Sequence, residues 1–221
     1  MSDTSTPHEH HIAALVARLA GQLESRGWRL ATAESCTGGL VAAACTERSG
    51  SSLWFERGVV SYSNASKSRY LGVPAGLIEQ DGAVSLSVAE AMARGAQAGL
   101  AGVCGFADLA DLSGLAEPDR PGQHDSAAHA EPAPADPGVE TALAITGVAG
   151  PSGGSVAKPV GTVCFAWAVG TRCWSERCHF DGDRAAVRRQ SVEHALSVLV
   201  DALEAADPSS PAANTPDAAV G

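Results

Sequence analysis

Residues 32–39, Thr-Ala-Glu-Ser-Cys-Thr-Gly-Gly, bring together hydroxyls, a thiol and paired glycines in the eight positions between a short apolar run and a helix of small residues. A strand-to-helix turn of this kind directs backbone N–H groups at whatever lies above it. Gly38 and Gly39 permit close approach of a ligand to the main chain, and the positive end of the following helix suits a phosphate or carboxylate. The same residues also serve a plainer purpose, in which Ser35 or Thr37 caps the helix and nothing more.

Two further stretches carry groups able to do chemistry. Tyr62, Asn64 and Lys67 gather at the end of the strand expected over Val59–Tyr62, and polar groups at the carboxyl ends of strands are where ligands bind in open α/β sheets. Asn64 as a helix cap, with Lys67 on the solvated side, is the competing assignment. Thr146 to Gly154 form a glycine-rich loop after a strand, with Gly147, Gly150 and Gly153 at intervals of three and Gly154 after them. The spacing matches neither a dinucleotide fingerprint nor a Walker loop. Lys158 is expected to fold back over it. Arg184 and Arg188, in the first turns of the last helix, oppose its dipole and gain from an anion there; ion pairs to Asp181 or Asp183 are the alternative.

The elements that must position these groups are legible from periodicity. Ile12, Leu15, Val16, Leu19 and Leu23 recur at three and four, predicting a helix over 12–26 that Gly27 ends. A strand is expected over 28–31, a helix from Leu40, strands at 59–62, 141–145, 163–169 and 173–180, and a long helix over 184–205. Ser87 and Glu90 have capping-box spacing at the start of another helix. The last two strands predict a hairpin around Gly170-Thr171, and hence a mixed sheet. Residues 1–11 and 206–221 read as disordered tails, and 103–138 as a mobile insertion whose five prolines and sparse apolar positions do not build a core. His8-Glu9-His10-His11, within the first tail, offers only adventitious metal binding.

Composition bounds what this fold does. The 221 residues, 45% hydrophobic, suit a single domain. A net charge of −10 argues against nucleic acid or an anionic membrane as partner. Six cysteines show neither a Cys-x-x-Cys pair nor zinc spacing, and read as reduced thiols of a cytoplasmic protein without a membrane helix.

Several of these motifs, in this order, resemble the CinA carboxy-terminal domain. The resemblance rests on Ala33–Gly39; on Gly50-Ser-Ser with Trp54–Gly58 and Tyr62-Ser-Asn-x-x-Lys67; on Thr146–Gly154 with Lys158–Thr162; and on Phe180–Arg184 with Val187–Gln190. It covers roughly 12–102 and 139–205, and departs from the usual pattern in the insertion and in Ala65-Ser66. It implies a single-domain, three-layer α/β/α sandwich, and deamidation of nicotinamide mononucleotide to nicotinate mononucleotide and ammonia; the residues themselves show no metal cluster, and no cofactor is expected.

For such a reaction a serine activated by Lys67 or Tyr62 is the natural arrangement. Ser52, in the turn before the strand leading to Tyr62 and Lys67, is the first candidate nucleophile. Ser35 is the second, with a role in orienting substrate or stabilising the oxyanion, and Cys36 the third. Thr37, Gly38, Gly39, Asn64, Thr146, the loop glycines, Lys158, Arg184 and Arg188 are expected to bind substrate. A non-catalytic module for pyridine nucleotides or other phosphorylated ligands needs the same loops without the catalytic groups. A homodimer is expected only from the habits of small α/β enzymes.

Overall fold

A computed structural model describes residues 7–99 and 138–206. The expectations for 1–6, for nearly all of the insertion and for 207–221 lie outside the described residues. Five strands, β1 (Leu30–Glu34), β2 (Phe55–Val60), β3 (Thr141–Gly147), β4 (Thr162–Val169) and β5 (Arg172–His179), form one sheet in the order β2-β1-β3-β4-β5. β1 pairs in parallel with both β2 and β3, whereas β3–β4 and β4–β5 are antiparallel. The sheet is therefore mixed, and it is covered on both faces by helices.

Side-chain size divides those faces. On β3 and β4 the alternation places Leu143, Ile145, Val163, Phe165 and Trp167 on one side, where they meet α1 (Pro7–Arg26), α2 (Leu40–Glu47) and α6 (Arg184–Ala205). The other side presents Ala31, Ala33, Ala142, Ala144, Cys164, Ala166 and Ala168. So smooth a surface lets α5 (Leu86–Ala98) lie close against the strands, with α3 (Asn64–Leu71) and α4 (Ala75–Asp81) beside it. Contact is tightest at Gly95, where an added Cβ would come within 1.9 Å of the Leu71 carbonyl oxygen. On the large-residue side Leu19 and Leu23 are fully buried, each contributing about 1.5–3 kcal/mol by leaving water. Trp167 gives its indole N–H to the Ala195 carbonyl, 3.0 Å away, so its polar atom is not stranded in the core.

Several element boundaries differ from expectation. α1 begins at Pro7, so the histidines assigned to a tail occupy its first turns. β1 runs through Glu34, and the turn proper is only 35–39. Ser63, not Asn64, caps α3, exchanging side-chain and backbone hydrogen bonds with Ser66. Ser85, not Ser87, caps α5 by accepting from the Val88 N–H; Glu90, the supposed partner in a capping box, instead accepts from Ser175. In each case a neighbouring hydroxyl had the better backbone geometry. Among the described residues no helix is long and apolar enough to cross a membrane.

Candidate active site

The parallel strands β1, β2 and β3 end together, and their connections leave toward opposite faces of the sheet: β1 leads into α2 on one side and β2 into α3 on the other. A crevice at such a reversal is the usual ligand site of an open α/β sheet. Here it is a cleft of about 340 Å³, with Ser35, Cys36 and Lys67 on its floor and Tyr62 and Asn64 on one wall. Thr146, Gly147, Gly150 and Gly153 line the opposite wall, and Arg184 lies at the mouth.

The floor follows from strand register. Glu34 pairs with Val60, and the next residues continue the ladder: the Ser35 N–H donates to Ile145 O and the Ser61 N–H to Glu34 O. Ser35 and Ser61 thus stand at neighbouring strand ends. Chain reversal at 62–63 starts α3, whose first full turn carries Lys67 back beneath both. Its Nζ lies 3.0 Å from Ser35 Oγ and 2.8 Å from the Ser61 carbonyl oxygen. Lys67 is only 1% exposed, and this burial lowers its pKa from 10.5. Once the amine is neutral, one N–H can stay on Ser61 O while the lone pair faces the Ser35 hydroxyl. That is the arrangement of a general base beside a nucleophile.

The neighbouring thiol is chemically quieter. Desolvation pushes the Cys36 pKa up to about 12, with Glu34 adding to the effect, so the group remains protonated.

Ser52 is not part of this constellation. It is exposed in the short 3₁₀ turn Ser51–Leu53 that precedes β2, and the residues just after it meet the beginning of β1, where the Leu30 N–H donates to Trp54 O. Ser35 and Lys67 lie past the other ends of these strands, roughly 17 Å away at the rise of a β-strand. Closeness along the chain was misleading because β2 intervenes.

The expected anion site at the start of α2 is also differently filled. Glu34, 1% exposed, turns its carboxylate onto the helix terminus and accepts from the N–H groups of Gly39, Val41 and Ala42 at 2.9–3.2 Å. A buried carboxylate from the preceding strand thereby occupies the positive end of the helix. Neither Ser35 nor Thr37 caps it, and Thr37, Gly38 and Gly39 do not line the cleft. Sequence reasoning missed Glu34 because it precedes the helix by more than any capping box allows.

The two arginines have separate tasks. Arg184 donates to Gly150 O and to the Tyr62 hydroxyl, both at 3.0 Å, bridging the two walls at the mouth. Arg188 donates to Thr37 O at 2.7 Å and ties α6 to the β1–α2 turn, outside the cleft. Lys158 does not reach over the glycine loop: its ammonium donates to Asp81 O at 2.7 Å, at the C-terminal end of α4, where the helix dipole favours a cation. Gly154 packs against the Val160 backbone, which a Cβ would approach to 2.8 Å. Thr146 is buried and spends its hydroxyl proton on Ala83 O. Gly147 admits no side chain, since its Cβ would lie 2.8 Å from Thr162 O.

Comparison with known proteins agrees with this architecture. The CinA C-terminal domain model matches residues 12–128 and 123–203. A nicotinamide-nucleotide amidohydrolase PncC from Pseudomonas putida is 47% identical over 189 residues, covering 86% of this chain and 95% of its own. A CinA-like protein from Mycolicibacterium vanbaalenii is 42% identical over 178 residues, but the chain spans only 33% of that protein's length. Among solved structures, the competence/damage inducible protein CihA from Agrobacterium tumefaciens superposes with a TM-score of 0.67 at 32% identity, covering 92% of this chain and 99% of that one. With the motifs, the mixed sheet and the matched residues in agreement, the chain belongs to the CinA C-terminal domain family.

Proposed function

We propose that the protein is an amidohydrolase that converts nicotinamide mononucleotide to nicotinate mononucleotide and ammonia, with Ser35 as nucleophile and Lys67 as its base. The observation that carries this reading is the 3.0 Å contact between Lys67 Nζ and Ser35 Oγ on the floor of the cleft. The 47% identical relative is named for the same class of activity.

In the first half-reaction neutral Lys67 takes the Ser35 hydroxyl proton as the oxygen attacks the carboxamide carbon. The tetrahedral intermediate collapses by C–N cleavage, and the Lys67 ammonium returns that proton to the leaving nitrogen, releasing ammonia. A nicotinoyl ester on Ser35 remains. Water then attacks it, Lys67 again accepting and returning a proton, to free the carboxylate and the serine. The Ser35 N–H is committed to Ile145 O, so stabilising the oxyanion falls to the cleft's other donors, Asn64 and the amides of the 149–153 loop.

Arg184 is suited to the ribose phosphate at the mouth. Its bond to the exposed Tyr62 hydroxyl is one that a phosphate oxygen replaces with a stronger one between two charged groups. Tyr62 is then released to cover the pyridine ring. Ammonia release from nicotinamide mononucleotide by the purified chain tests the proposal. A folded protein that binds the nucleotide without releasing ammonia is instead a binding module.

A further inference from the structure

Glu176 and Cys178 stand at i and i+2 on β5 and so project from the same side of the sheet. Their partners in β4 are Phe165 and Val163, which belong to the core beneath α6. From α6, His194 closes over them. Its Nε2 is 3.2 Å from Glu176 Oε2 and 3.5 Å from Cys178 Sγ, and that sulfur is 3.5 Å from Glu176 Oε1. The imidazole is fixed by edge-on contacts with Phe165, Trp167 and Phe180, at centroid separations of 4.8, 6.1 and 6.0 Å. The amidase chemistry uses none of these groups: His194 is ten residues beyond Arg184, about 15 Å further along α6.

A thiol, an imidazole and a carboxylate are the three donor types that zinc accepts. Tetrahedral zinc with ordinary bond lengths places sulfur and nitrogen ~3.5 Å apart, nitrogen and oxygen ~3.3 Å, and sulfur and oxygen ~3.5 Å. The separations of His194 Nε2 from Cys178 Sγ and from Glu176 Oε2, 3.5 and 3.2 Å, match two edges of that tetrahedron; the sulfur is 3.5 Å from the other carboxylate oxygen, Oε1, and one ligand atom from each of the three residues lies within 4.8 Å of the other two. Glu176 is exposed and Cys178 and His194 are half-buried, so solvent reaches the cluster; a cavity of about 390 Å³ between α6 and the first turns of α1 has His194 and Phe180 in its wall. His8 and His11 line the same cavity but are turned to Glu193, each at 3.4 Å.

We propose that Glu176, Cys178 and His194 form a binding site for a divalent transition cation of the zinc class, with three protein ligands and a fourth position open to water. On binding, the Cys178 S–H bond breaks, a sulfur–metal bond forms and the proton passes to solvent. His194 binds through Nε2 with its remaining proton on Nδ1. The cation clips the edge strand β5 to α6, the helix whose first residue reaches the active cleft.

The experiment is a titration of the chelator-treated full chain with Zn²⁺ against a chromophoric chelator, repeated with Co²⁺ to read the thiolate-to-metal charge-transfer band. The parent is expected to take up one equivalent. Cys178→Ala and His194→Ala bind at least about tenfold more weakly, by loss of one of three ligands, and the band disappears in Cys178→Ala. A doubly substituted His8→Ala, His11→Ala chain binds as the parent does. Cys178→Ser, with its fold checked by thermal melting, separates loss of the ligand from loss of packing. Absence of stoichiometric uptake, uptake unchanged in Cys178→Ala, or uptake lost in the His8/His11 chain and so due to a histidine-rich helix start, would overturn the assignment.

Discussion

Lys67 Nζ and Ser35 Oγ lie 3.0 Å apart although 32 positions separate them in the chain. Parallel pairing of β1 with β2 brings the two strand ends side by side, and one turn of α3 returns the amine beneath both. The contact is therefore a product of register: sliding β2 by one residue would carry the start of α3, and Lys67 with it, about 3.3 Å along β1.

Burial of Lys67 has a consequence for stability. Its folded-state pKa is lowered below 10.5, so between that lowered value and 10.5 the unfolded chain binds more protons than the folded one. Stability from this group consequently rises with pH across that window. Lys67→Met removes this contribution. The unfolding free energy of the parent, measured relative to Lys67→Met, is expected to increase as pH is raised from neutral toward 10.5; a constant difference would count against a strained buried amine.

Glu34 is expected to matter for folding more than for turnover. Glu34→Gln keeps the shape but removes the charge and turns one acceptor into a donor facing the start of α2. The expected loss is about 2 kcal/mol, from a charge at a helix terminus and its disrupted hydrogen bonds. Urea midpoints at unchanged m-value would show it.

Arg184 and Arg188 should separate in kinetics. Arg184→Ala is expected to raise KM for nicotinamide mononucleotide about tenfold or more, as loss of a charge-assisted bond predicts. Turnover of the riboside, which lacks phosphate, should scarcely change. Arg188→Ala should preserve the discrimination between the two substrates and lower the melting temperature, because its partner is Thr37 O. The ratio of kcat/KM for the two substrates decides the assignment.

Gly95 tests the packing of the alanine-rich face. A methyl group there would lie 1.9 Å from Leu71 O, a backbone atom that cannot rotate aside. Gly95→Ala should therefore separate α5 from α3 and cost about 1–3 kcal/mol, as overpacking does, whereas Gly21→Ala, with open space around it, should not.

Much of this was legible in the sequence, for identifiable reasons. Period-three-and-four apolar residues gave the α1 face because Leu15, Val16, Leu19 and Leu23 are all buried. The hairpin at Gly170 and the mixed sheet followed from an apolar strand and a second extended run separated by the turn Gly170-Thr171. Tyr62, Asn64, Lys67, Thr146 and Arg184 could be singled out because polar residues collected after strands, and these do line the cleft. Pairing Lys67 with Ser52 failed because nearness in sequence says little across a strand. The roles of Glu34, Lys158 and Arg188 were hidden because each bonds to backbone groups, which carry no signature in the order of side chains. Glu176, Cys178 and His194 were invisible for a related reason: strand and helix meet only after the sheet has formed.

The most direct test compares Ser35→Ala with Ser52→Ala in ammonia release from nicotinamide mononucleotide, with nucleotide binding measured on both. Ser35→Ala should bind nucleotide nearly as the parent does and lose at least about a thousandfold in kcat, the scale seen when a nucleophile is removed; Ser52→Ala should stay within about twofold of the parent, as surface substitutions usually do. Full turnover by Ser35→Ala, with turnover abolished in Ser52→Ala, would contradict the account.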